Sequence, residues 1–180
     1  MLQLDIVLVP EMWDEIKEEF IPPITFELRL EHSLISLSKW ESKWHKPFLS
    51  KQDKSNEELM DYIKCMVMTP NVKPEVYDKL SQDNIEEIYE YINDPMTATV
   101  FSEDKSKPNR EIITAELIYY WMIAANIPFE CQKWHLNKLL TLIRVCNVKN
   151  NPGKKKNQRE TMEYYAKLNE ARKKKLNTKG

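Results

Sequence analysis

Cys131 and His135 stand four residues apart in an apolar, helix-patterned stretch. On a helix that spacing puts a thiol and an imidazole on one face, as a bound metal ion would require. A structural zinc ion takes four ligands, and the chain has no second pair at ligand spacing, so the two residues read as a packed thiol and a hydrogen-bonded imidazole. Nucleophilic catalysis would need one of the three cysteines, Cys65, Cys131 or Cys146, beside His32, His45 or His135. Reactive thiolates need an electropositive, partly exposed setting, whereas these cysteines lie among Met, Val, Leu and Trp. The acidic pairs Glu57-Glu58, Glu86-Glu87 and Glu103-Asp104 fall at expected helix starts or in loops, where they complement the helix dipole or face solvent. No glycine precedes Gly153, which excludes a phosphate-cradling loop and a dinucleotide fingerprint. The residues thus point to a protein that is not an enzyme and has no metal or cofactor.

Two constellations suit binding better than catalysis. Trp40 and Trp44 are interleaved with Lys39, Lys43, His45 and Lys46, a pattern that can stack on and neutralise a single nucleic-acid strand. On a helix, however, both Trp fall on the side of Leu37, which favours a core or protein-interface stripe backed by a solvated Lys face. The basic runs Lys154, Lys155, Lys156 and Arg172, Lys173, Lys174, Lys175 can contact an acidic protein, bind nucleic acid or keep the segment soluble. Without an aromatic or motif scaffold, charge alone gives only salt-sensitive, non-specific nucleic-acid affinity. Trp40, Trp44 and these seven basic residues are the candidate protein-binding residues.

The elements that must position them follow from hydrophobic period. Residues 2–9 and 24–30 alternate, with Leu2, Leu4, Ile6 and Leu8 on one face and Ile24, Phe26, Leu28 and Leu30 on the other strand's face, which predicts an antiparallel pair. Between them MWDEIKEEF reads as a helical turn or exposed loop, closed off by Pro22-Pro23. Leu34, Leu37, Trp40 and Trp44 form a helical stripe that Pro47 ends. Further helices are expected over EELMDYIKCMVM, capped by Ser55 or Asn56, over PEVYDKL, and over NIEEIYEYI, capped by Ser81 or Asp83. Residues 96–101 read as a third strand and the polar run after them as a loop. The segments ITAELIYYWMIAAN and CQKWHLNKLLTLIRVCNV predict a helical hairpin whose second arm, apolar beyond one stripe, forms the centre of the core.

The expected fold class is α+β, mainly helical: a small N-terminal antiparallel sheet packed on a helical body with a central helical hairpin. Pro152-Gly153 marks a boundary between a globular domain, 1–150, and a basic, helix-prone tail, 151–180. The chain has 180 residues, 42% of them hydrophobic and 31% charged, outside the corner that marks disorder. Residues 154–180 hold ten Lys and Arg against three Glu, which leaves 17 basic and 25 acidic residues in 1–153. That polarity suits a basic interaction tail or one that folds back on an acidic body. The odd cysteine count and a start, Met1–Pro10, unlike a secretory signal lead to the expectation of a reducing compartment. No run approaches the ~20 apolar residues that span a bilayer, so no membrane partner is expected.

At SLSKWESKWHKPFLS, at MTATVF, at TAELIYYWMIAANIPFECQKWHLNKLLTLIRVCNVKN and at LNEARKKKLNTKG the chain resembles the tail assembly chaperones of tailed bacteriophages of the siphophage type, over roughly residues 30–180. The resemblance implies a non-enzymatic protein of the host cell cytoplasm. It would bind the tape measure protein and assist assembly of the tail tube protein, with self-association as a further option, and be absent from the mature virion. It offers no catalytic residues. The alternatives are a structural virion component, such as a head completion or tail terminator protein, and a nucleic-acid-binding regulator acting through the basic tail.

Overall fold

The computed structural model describes residues 1–101 and 111–150, together with residues 162, 166, 169, 170 and 172. Its elements in chain order are β1 (Leu2–Val9), β2 (Met12–Asp14), β3 (Glu19–Ile21), β4 (Ile24–Leu30), α1 (Leu34–Trp44), α2 (Asn56–Met66), α3 (Pro74–Tyr77), α4 (Gln82–Asn93), α5 (Ala115–Ala124), a 3₁₀ turn (Phe129–Lys133) and α6 (Leu136–Asn150). The fold is α+β and mainly helical, with a small antiparallel sheet. The chain divides into two units, Met1–Val145 and Cys146–Gly180. In the second unit the described residues Met162, Ala166, Asn169, Glu170 and Arg172 are helical.

β1 and β4 pair antiparallel with Leu2 opposite Leu30, Leu4 opposite Leu28 and Ile6 opposite Phe26. Period-two alternation therefore sends Leu4, Ile6, Leu28 and Leu30 into the core. The register slips between Val7 and Val9, and Ile24 beyond the slip is exposed. The chain between these strands is neither helix nor loop as expected, but a second antiparallel pair, Met12 opposite Ile21 and Trp13 opposite Phe20. Its reversal uses no glycine. The Asp14 carboxylate accepts from the Ile16 and Lys17 N–H groups at 2.9 and 3.2 Å, and Glu18 takes the left-handed conformation at φ 54°. Pro10 and Pro22-Pro23, which cannot donate to a ladder, separate the two pairs.

The outer edge of β4 is covered where the chain leaves α2: Glu31 N–H donates to Met66 O at 2.9 Å, and Met68 N–H to Arg29 O at 2.8 Å. α1 is capped by Ser33, whose Oγ accepts from Ser36 N–H. It ends at His45 (φ 53°), two residues before Pro47. α1 packs on α2, on α5 and on the 3₁₀ turn, so this helix has the central place expected of the last one. α6 buries only Leu136, Leu139 and Ile143, one stripe at i, i+3 and i+7. Ser55 and Ser81 close full capping boxes on α2 and α4, with Glu58 and Asn84 answering. Residues 96–101 form no strand; Phe101 lies under the Arg144 guanidinium at 4.1 Å.

Candidate functional site

The tryptophan pair of α1 is split by depth. Trp40 has no exposed surface; its ring meets Phe48 edge-on at 5.0 Å and its Nε1–H donates to Glu58 O at 2.8 Å. Trp40 is thus a core residue, and its expected place among the docking residues is corrected: its ring reaches no partner without unfolding α1 from α2. Trp44, one turn on, is half-buried and donates from Nε1 to Asp61 Oδ2 at 3.0 Å. Lys43 is ion-paired with Asp61 and Lys46 with Glu58, and both ammonium groups lie within about 6 Å of the Trp44 ring. Burial alone would raise the Asp61 pKa, but the bonds from Lys43 and Trp44 hold it below its ordinary value. Two of the cations expected to neutralise a nucleic-acid strand, Lys43 and Lys46, are thus committed to acids of α2. Arg172 is exposed on a helix, while Lys154, Lys155, Lys156, Lys173, Lys174 and Lys175 lie outside the described residues.

Cys131 and His135 do not share a helix: Cys131 is in the 3₁₀ turn and His135 immediately precedes α6. The His135 Nδ1 accepts from Asn137 N–H at 3.3 Å, which leaves Nε2–H to donate to Tyr91 O at 2.9 Å. Asn137 adds its own bonds to the Ile92 and Asp94 carbonyls, so the two side chains close the C-terminus of α4. His32 lies edge-on to His135 at 5.0 Å and shares a 2.6 Å hydrogen bond with the Tyr62 hydroxyl. Burial, then the neighbouring His135, depresses the His32 pKa to about 3; burial also lowers that of His135. Burial and the nearby Asp61 keep the Cys65 thiol protonated, the opposite of nucleophile activation. Among the described residues no three His, Cys, Asp or Glu side chains converge as ligands for a metal ion.

Two apolar surfaces lack a partner within the described residues. One is the far end of the β-ribbon. Trp13 and Phe20 pack edge-to-face at 4.8 Å across β2 and β3, yet are 50% and 65% exposed, and Ile16 at the turn is 94% exposed. Met12, Ile21 and Ile24 extend the same exposed set. Charges around it are mostly acidic: Glu11, Asp14, Glu15, Glu18 and Glu19 against Lys17. A helical turn or exposed loop, as the sequence suggests here, would not pair these rings; the signal for the ribbon is Trp13 and Phe20, aromatic residues between prolines.

The other surface is a groove. α2 presents Asn56, Leu59, Met60 and Ile63 (i, i+3, i+4, i+7), and α4 presents Gln82, Ile85 and Tyr89, to a depression of ≈ 300 Å³ between the helices. It continues as a smaller apolar hollow of ≈ 50 Å³ bordered by Phe48, Tyr62, Ile88 and Ile92. Part of each stripe remains uncovered: Leu59, Met60 and Ile85 are half-buried and Tyr89 is exposed.

Compared with protein-family models, curated proteins and solved structures, the chain matches none. No helix among the described residues is long and apolar enough to cross a membrane.

Proposed function

We propose that this protein is a non-enzymatic assembly chaperone of a tailed bacteriophage, acting in the host cell cytoplasm by binding the tape measure protein and assisting tail tube assembly. The observation that carries the binding role is the exposed ribbon end, where Trp13, Ile16 and Phe20 face solvent among acidic residues. Clustered large apolar side chains with a polar surround mark interaction surfaces, and aromatic residues dominate binding hot spots. A long, largely helical client that aggregates alone is kept soluble by such surfaces. The phage assignment itself comes from the resemblance over residues 30–180.

Co-expression tests it. A tape measure protein of the same phage is expected to be soluble when co-expressed with this chain and insoluble alone. Trp13→Ser with Phe20→Ser is expected to abolish the effect while the variant stays folded. Equal solubility of the tape measure protein with and without this chain contradicts the proposal.

A further inference from the structure

We propose that the groove between α2 and α4 is a docking site for a basic amphipathic helix of a partner protein. The walls are two apolar helical stripes. On α2 the wall runs from Asn56 to Ile63, about 10 Å at 1.5 Å per residue, which is two turns of an incoming helix. An amphipathic helix laid in such a groove uses apolar anchors at i, i+3 or i+4 and i+7. The buried side chains of Tyr62, Ile63 and Ile88 make a fixed floor, while Leu59, Met60 and Ile85 are partly open and Tyr89 is 38% exposed.

Charge selects the occupant. α4 carries Asp83, Glu86, Glu87 and Glu90, all exposed, and no Lys or Arg. At 100° per residue Glu86 and Glu90 lie beside the stripe of Gln82, Ile85 and Tyr89, and Glu57 lies beside that of Asn56, Met60 and Ile63. None of these carboxylates makes an ion pair among the described residues. Lys64, the single basic residue of α2, reaches over the Tyr77 ring at 5.4 Å. Lys43 of α1 and Lys46 just beyond it are held by Asp61 and Glu58, and Lys54, which lies over the Phe48 ring at 5.0 Å, donates to the Ser50 and Gln52 carbonyls. An acidic rim around an apolar floor attracts a helix with Lys or Arg flanking its apolar face and repels an acidic one. This inference goes beyond the phage reading and does not depend on it.

The probe is an 18-residue peptide of Leu and Lys at helical spacing, titrated by fluorescence anisotropy against the full chain. Comparison peptides are the same composition in strict alternation, and a Leu/Glu peptide at helical spacing. Binding of the first in preference to both others is expected. Glu86→Lys with Glu90→Lys, at exposed positions, should keep the fold and weaken binding by about tenfold or more. Ile85→Asp with Tyr89→Asp should weaken it too, with thermal unfolding as the check on folding. Trp13→Ser with Phe20→Ser should leave it unchanged. Comparable binding of the alternating or Leu/Glu peptide, or unchanged binding by the charge-reversed variant, overturns the proposal. If sedimentation shows a dimer that the groove variants dissolve and the Leu/Lys peptide does not, the occupant is a second copy, and the basic partner helix is ruled out.

Discussion

Acidification should destabilise this protein through His32. The imidazole is buried against Tyr62 and His135, and its pKa is depressed to about 3. In the unfolded chain it takes a proton at about pH 6.5. Between those values the unfolded state binds more protons than the folded one, so stability falls as pH falls through that window and is fully present above it. From pH 7 to pH 4 the two states diverge over about 2.5 pH units at about 1.4 kcal/mol each, or about 3 kcal/mol from this residue. His135, lowered in the same direction, adds to the loss.

The assay is urea unfolding followed by far-ultraviolet circular dichroism at pH 7, 6, 5 and 4, for the natural chain and His32→Asn. At pH 7 the variant should be less stable by about 1–3 kcal/mol, because the Tyr62 hydroxyl loses its partner. Its disadvantage should shrink by about 3 kcal/mol by pH 4, since Asn carries no proton to exclude. Contributions from Asp61 and Glu58, whose pKa values are lowered by their lysine partners, are common to both chains and cancel in the difference. Parallel stability curves, or an imidazole resonance of His32 that titrates near pH 6.5 in the folded protein, would refute the buried-pair account.

Other perturbations separate core from surface. Trp40→Ala should cost about 3–5 kcal/mol by chemical denaturation, since it empties a fully buried ring site; Trp44→Ala, at a half-buried ring, should cost less than half as much. Glu41→Ala should lower the thermal midpoint, because its carboxylate accepts the Phe48 and Ala115 N–H groups at 2.8 and 2.7 Å, and each buried donor left unpaired costs about 1–3 kcal/mol. Trp13→Ser with Phe20→Ser should change stability by no more than about 1 kcal/mol while reducing fluorescence enhancement of an apolar surface dye.

Much of the fold could be read directly because its elements carry strong local signals. The alternation of Leu4, Ile6, Leu28 and Leu30 places both strands, and of the caps the sequence allows, Ser55 or Asn56 and Ser81 or Asp83, the two serines hold the helix starts through their hydrogen bonds. The β2–β3 pair could not be read so easily. Its strands are three residues long, and its turn depends on the Asp14 side chain and on a non-glycine residue, Glu18, at positive φ. Trp40 and Trp44 share one stripe in the sequence; only the path of α2, which receives the Trp40 Nε1–H at Glu58 O, decides which is core. The same limit holds for the groove, because an apolar stripe records a preference for burial, not what buries it. Likewise, the apolar width of residues 136–148 suggested a central helix, yet packing gives that place to α1.

Quantitative mass spectrometry of infected-cell lysate and purified virions, with a tagged copy used to recover bound proteins from the lysate, separates a chaperone from a particle component. A chaperone is expected to be abundant in lysate, bound to the tape measure protein, and absent from virions. Stoichiometric presence in virions would contradict the chaperone reading and identify a structural component of the particle.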